Sequence, residues 1–187
     1  PIINITEIKS KEDIIWKKLP SDTVKGINLN TTKQLELIAE FNKYYSEIPF
    51  KADKQENLRY YFENEFYSYT DGIMLYNMMR HIRPKQLIEV GSGFSSVLML
   101  DVNEVFFESK IKLTFIEPYT ERLESLLSEK DKTTNTIHKK FVQEVSLEEF
   151  KKLEAGDILF IDSTHVSKTG SDVNFLYFEV LPILKKG

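Results

Sequence analysis

The chain has 187 residues, 41% of them hydrophobic and 29% charged, with a net charge of −4 and no cysteine. That is enough chain for one domain with a real core. It excludes disulfides, thiolate metal sites and cysteine nucleophiles, and scattered basic residues with an acidic balance argue against a nucleic-acid partner. No apolar run approaches the roughly 20 residues of a membrane span, and the N-terminus lacks a basic region followed by an apolar core. A cytoplasmic location is the expectation.

In chain order, TTKQLELIAEFNKYY reads as an amphipathic helix, with Leu35, Ile38, Phe41 and Tyr45 at helical spacing and Pro49 as its stop. ENLRYYFENEFYSY is dense in aromatics and reads as a helical layer packed onto the next domain. TDGIMLYNMMRHIR makes a further helix, capped by Thr70 or Asp71 and ended by Pro84. The character of the chain then changes. QLIEV is a strand, FSSVLMLDVNEVF a helix, KLTFIEP a strand and TERLESLLSEK a helix capped by Thr120. TIHKKFV is a moderate strand and SLEEFKKL a short helix with capping-box spacing from Ser146 to Glu149. ILFI, wholly apolar, suits a central parallel strand, and SDVNFLYFEVLPILKKG is a helix fraying at Pro182. Strands alternating with helices predict an α/β fold, a Rossmann-like doubly wound parallel sheet. The expected division is a helical N-terminal extension or cap over residues 1–66 and the sheet domain over 67–187. Four strands are fewer than such a sheet usually has, so the expectation is that later strands are missing at the C-terminus.

The chemistry gathers where strands end. Gly91-Ser92-Gly93 comes after the first strand and opens a helix, as Gly91-x-Gly93-x-x-Ser96. A glycine turn there lets a ligand lie against bare main chain and the helix N-terminus. The third glycine of a dinucleotide fingerprint is replaced by a small hydroxyl, which weakens that motif. Glu117 closes the second strand, where a carboxylate offers two oxygens to a ribose diol. Asp162 closes the fourth. Glu89, Gly91, Glu117 and Asp162 are thus expected at one edge. His165, three residues beyond Asp162, is the candidate base because imidazole titrates near neutrality. His81 and His138 read as surface or sheet-face residues, and the three histidines show no metal-ligand spacing.

Taken together, LIEVGSGFSS, LTFIEP and GDILFIDSTHVSKTGSDVNF resemble the class I, Rossmann-like S-adenosylmethionine-dependent methyltransferases. The likeness is to the branch in which a DG-x-x-L helix precedes E-x-G-S-G-x-S-S and the fourth strand ends ID-x-(S/T)-H. It runs from about Tyr67 to Gly187. The resemblance implies a seven-stranded sheet and methyl transfer from S-adenosylmethionine to a small-molecule or saccharide-type acceptor, at oxygen or nitrogen. It implies that Glu89, Gly91, Ser92 and Gly93 hold the methionine end, that Glu117 binds the ribose and that Gln143 (or Glu144) flanks the adenine. Asp162 would face the methyl-transfer centre, with Tyr67, Ser68 and Asp71 closing over the cofactor. In catechol-type relatives the residue matching Asp162 shares a divalent cation with a downstream carboxylate, so the resemblance leaves a divalent metal possible, with its second ligand expected beyond Gly187. Two other classes compete: an NAD(P)-dependent oxidoreductase on the same kind of sheet, and a non-catalytic interaction module using the aromatic segment.

Overall fold

The computed structural model describes residues 4–15, 24 and 26–186. The chain forms two compact units, Pro1–Ala39 and Glu40–Gly187. The first holds α1 (Ile5–Ser10), capped by the Asn4 side chain accepting from the Glu7 amide, and α2 (Glu12–Ile15). α3 (Thr31–Tyr45) begins there. The second unit starts well before the expected position at Tyr67. Phe50, Tyr60 and Phe62 are buried and meet edge to face, at ring separations of 4.8, 5.7 and 6.1 Å. Residues 40–66 therefore belong with the sheet, and the extension ends near Ala39 instead of residue 66.

The aromatic segment is not the helical layer its composition suggests; residues 46–68 are turns and bends. Polar side chains take over the backbone bonding. Asn64 Oδ1 accepts from the Phe66 and Tyr67 amides, and its Nδ2 donates to the Tyr61 and Tyr67 carbonyls. The Arg59 guanidinium donates to Asp101, Glu104 and Asp131. Two of these carboxylates are inside the protein, so a single cation ties the segment to two helices.

Next come α4 (Tyr69–Ile82), β1 (Gln86–Val90), α5 (Phe94–Phe107), β2 (Lys112–Ile116), α6 (Glu121–Leu126), α7 (Glu129–Thr134) and β3 (Thr136–His138). After these stand α8 (Leu147–Phe150), β4 (Ile158–Ile161) and α9 (Asp172–Phe175). The Rossmann-like α/β expectation holds: the four strands form one parallel sheet in the order β3-β2-β1-β4. Alternate residues face opposite sides. Leu87, Leu113 and Phe115 enter a core with α4 and α5, while Ile88, Val90 and Ile116 enter a second core with Val142, Phe150, Leu176 and Val180. At the amino ends, the Asp157 carboxylate accepts from the Lys85, Gln86 and Glu154 amides and sets the register.

Three elements depart from their predicted form. The helix expected from Thr120 to Lys130 breaks at Leu127–Ser128. Ser128 caps α7 by accepting from the Asp131 amide, and this turn presents the buried Asp131 to Arg59. α4 starts after Ser68 rather than behind a Thr70 or Asp71 cap. The final helix changes winding, from α9 to a π turn at Leu176–Val180 and a 3-10 turn at Leu181–Ile183. Pro182 has no amide to continue an α-helix.

Candidate functional site

The chain runs outward from β1 through β2 to β3 and then crosses back, so β4 lies on the other side of β1. The carboxyl ends of β1 and β4 therefore flank a switch in strand order, where open α/β sheets bind ligands. Glu117 stands at this edge, as expected, and is joined to the glycine turn. Its Oε2 accepts from the Ser92 amide at 3.1 Å, and its Oε1 accepts from the Tyr119 amide at 2.8 Å.

The two glycines do different jobs. Gly91 has φ +88, and a Cβ there would lie 2.7 Å from the Asp162 carbonyl carbon and 3.1 Å from Ser163 Cα. The β4 exit of the protein itself crowds Gly91. The approach is fixed from both sides, because the Asp162 amide donates to the Val90 carbonyl at 2.9 Å and the Gly91 amide to the Ile116 carbonyl at 3.0 Å. At Gly93 an added Cβ would meet only Arg122 Cδ, at 3.5 Å, among the described residues. The main chain at Gly93 is therefore the part left open.

Glu89 lies beneath the turn and is fully buried. Ser95 Oγ donates to its Oε1 at 2.6 Å, Ser96 Oγ donates to its Oε2, and Ser96 Oγ accepts from the Gly93 amide at 2.9 Å. Burial pushes its carboxyl up to about 7 against the lowering effect of these hydroxyls. Glu89 thus braces the glycine turn from below, and Ser96 supplies the hydroxyl that stands where a third glycine was absent.

On the β4 side, Asp162 Oδ1 is 3.1 Å from His165 Nε2, with side chains 39% and 67% exposed. His165 has φ 57, a left-handed conformation uncommon outside glycine and enriched at functional positions. The loop behind it is held by Asp172, which accepts from the Thr164 amide and hydroxyl. Burial raises this carboxyl, but those hydrogen bonds outweigh it and hold the group down at about 2. Gln143 is exposed and donates to the Gly170 carbonyl of the same loop at 2.9 Å. Asp71 is exposed on the first turn of α4. The Tyr67 phenol is pushed up, mainly by burial and then by the charges of Asp71, Asp162 and Glu89. Tyr67 also meets the ring of Phe160 on β4 edge to face, at a centroid separation of 6.3 Å. Among the described residues, no group of three His, Asp or Glu side chains is arranged to hold a metal ion, and no helix is long and apolar enough to cross a membrane.

Sequence reasoning missed Arg122 and Phe66. The Arg122 guanidinium sits 3.6 Å from the Phe66 ring centroid, and Phe66 stacks on Phe94, forming a wall beside Gly93. Nothing in the local pattern marks a pair 56 positions apart.

No family model matches the chain. An uncharacterized protein of Archaeoglobus fulgidus is 34% identical over 121 residues, covering 64% of this chain. The chain spans 55% of that relative's length. Among solved structures, the CmcI-N160 apo-structure covers 88% of this chain and 65% of its own, with a TM-score of 0.46 and 15% identity. The structure cmcI-N160 SAH covers 88% and 76%, with a TM-score of 0.43 and 12% identity. At this level of similarity any functional reading rests on the site itself.

Proposed function

We propose that this protein transfers a methyl group from S-adenosylmethionine to a small acceptor. The observation that carries the reading is the bond between Glu117 and the Ser92 amide: the carboxylate suited to a diol and the bare main chain form one unit at the switch in strand order. The residues present fit an adenosyl ligand. Each Glu117 oxygen already accepts one amide and keeps a lone pair for a ribose hydroxyl. Gly93 leaves room for the ligand's methionine end, and Glu89 with Ser95 and Ser96 holds the turn rigid underneath.

When bound, this cofactor supplies a methyl group on a sulfonium, already activated for displacement. The chain's part is to align the acceptor and exclude water. With Asp162 accepting from His165 Nε2–H, the imidazole keeps its Nδ1 lone pair free, so Nδ1 is the atom that takes an acceptor hydroxyl's proton. A cytoplasmic enzyme acting without nucleic acid or membrane partners is part of the same reading.

The test is thermal unfolding with S-adenosylhomocysteine and, separately, NAD. At a hundred times its Kd a ligand adds about 2.7 kcal/mol, which for a chain of this size raises Tm by roughly 5–10 °C. S-adenosylhomocysteine should give that rise, NAD none, and Glu117→Ala should weaken the response at least about tenfold in Kd, near 1.4 kcal/mol. A shift with NAD alone establishes the oxidoreductase alternative. Wild-type affinity in Glu117→Ala removes the ribose assignment.

A further inference from the structure

The wall beside Gly93 carries a cation without an acidic partner. Of the four arginines in the chain, Arg59 is held by Asp101, Glu104 and Asp131, and Arg80 by Glu47. Arg83 precedes β1, at the opposite end of the sheet, and lies over Phe107. Arg122, in the first turn of α6, is exposed at the carboxyl edge. Among the described residues its guanidinium pairs with no carboxylate and donates no hydrogen bond. It rests instead on the Phe66 ring, 3.6 Å from the centroid.

The Arg122 side chain also runs along the glycine turn. A Cβ at Gly93 would stand 3.5 Å from Arg122 Cδ and 3.9 Å from Nη1, so the guanidinium borders the open main chain. Glu117 is joined to the residue before it, through the Ser92 amide. A ligand with its ribose on Glu117 and its chain leading past Gly93 therefore arrives at Arg122.

Phe66 is itself fixed in place. Its amide donates to Asn64 Oδ1 at 3.1 Å, its ring stacks on Phe94 at 6.2 Å, and Tyr61 meets Phe94 edge-on at 5.8 Å. At 3.6 Å the guanidinium carbon is in van der Waals contact with the Phe66 ring, the separation of a guanidinium lying face-on. Stacked in this way, Arg122 keeps its N–H donors in its own plane, directed along the ring rather than into it. A planar carboxylate accepts two such parallel N–H bonds.

We propose that Arg122 reads the amino-acid end of the cofactor, its guanidinium donating two N–H bonds to the ligand's carboxylate, and that Phe66 is the positioning residue that holds it there. This rests on the methyl-transfer reading above and deepens it, by naming the group that tells an adenosyl amino acid from its adenosine half alone. The same fork would take a phosphate, so NAD forms a separate arm of the test.

The experiment is titration calorimetry on the whole chain with three ligands: S-adenosylhomocysteine, NAD, and 5′-methylthioadenosine, which keeps the adenosine and thioether but has no amino-acid end. The wild-type protein should bind S-adenosylhomocysteine at least about tenfold tighter than 5′-methylthioadenosine. Arg122→Met should weaken S-adenosylhomocysteine at least about tenfold and leave 5′-methylthioadenosine unchanged. Arg122→Lys keeps the charge without the fork and should fall between. Phe66→Leu removes the aromatic face and should weaken S-adenosylhomocysteine alone, by about threefold. Combined with Arg122→Met it should add nothing, because the two side chains act as one unit. Both are exposed, and melting temperatures report that the variants fold. Equal losses for the two adenosyl ligands in Arg122→Met would mean a loosened wall and overturn the proposal, as would wild-type affinity of that variant for S-adenosylhomocysteine. Binding of NAD alone, lost in Arg122→Met, assigns the fork to a phosphate and overturns it too. If the wild type binds both adenosyl ligands equally well, the carboxylate assignment fails and the adenosyl site stands. If it binds neither, the methyl-transfer reading fails and the role of Arg122 falls with it.

Discussion

Replacing Gly91 and Gly93 one at a time by alanine separates a glycine required by the fold from one kept open to a ligand. At Gly91 the new methyl carbon would be driven against the main chain of Asp162 and Ser163, with the Asp162 carbonyl carbon at 2.7 Å. Neither side can retreat, because Val90, Gly91, Ile116 and Asp162 are all held in ladder bonds of 2.9–3.0 Å. A left-handed φ costs a non-glycine residue about 1–2 kcal/mol, and forcing a methyl group into a filled space costs about 1–3 kcal/mol. The sum centres at about 3.5 kcal/mol, or a Tm lower by roughly 7–14 °C for a chain of this size. At Gly93 the methyl carbon would meet only the flexible Arg122 side chain at an ordinary 3.5 Å. Gly93→Ala should therefore lose less stability than Gly91→Ala while losing more than about tenfold in S-adenosylhomocysteine affinity. Calorimetric unfolding and titration on the same two variants decide it. A Gly91→Ala protein that melts with the wild type would refute the close approach of β4, and a Gly93→Ala protein with wild-type affinity would refute ligand contact at the turn.

The packing and the buried charges lead to further expected outcomes. Arg59→Ala should cost roughly 3–5 kcal/mol in urea unfolding, since it strands the buried carboxylates of Asp101 and Asp131 around a guanidinium side chain only 18% exposed; a loss below about 1 kcal/mol would place that cluster with ordinary surface pairs. Glu89, raised from 4.5 to about 7 by burial, binds its proton more tightly folded than unfolded. Its contribution is fully present below pH 4.5 and is lost as pH rises through 7. Glu89→Gln should flatten the stability profile across that window, and an unchanged slope would mean the carboxyl titrates normally. Asp172 acts in the opposite sense: lowered from 3.8 to about 2, it stabilises above 3.8 and loses this as pH falls through about 2. Gly72→Ala would put a methyl carbon 2.9 Å from Cζ of the buried Tyr60, costing about 1–3 kcal/mol. Adding Tyr60→Phe should recover part of that loss, and strict additivity of the two changes would show that they do not touch.

Local pattern and spacing in the sequence were enough for the strand–helix alternation, the parallel sheet and the gathering of Gly91, Glu117 and Asp162 at one edge. The physical reason is that a fully apolar parallel strand, a glycine exit and an acidic strand end are each set by neighbours within a few residues. The sequence could not say what Gly91 makes room for. Its tight neighbour is the Asp162 main chain, 71 positions away, and strand order alone brings the two together. The aromatic segment misled for a related reason. Its composition suits a helix layer, but Arg59 and Asn64 hold it as a bonded loop through partners up to 72 residues distant. Glu89 reads as a ligand contact when only its strand position is known, and it proves to be buried because Ser95 and Ser96 close over it from the adjoining helix. Tertiary structure alone decided the cavity at the carboxyl end of β4. β4 contributes Ile161, the loop beyond it Ser163 and His165, and the last helical segment Val173, Leu176 and Tyr177. Its shape depends on how a changing helix packs against an edge strand, and side-chain packing at that range has no period for a sequence to display.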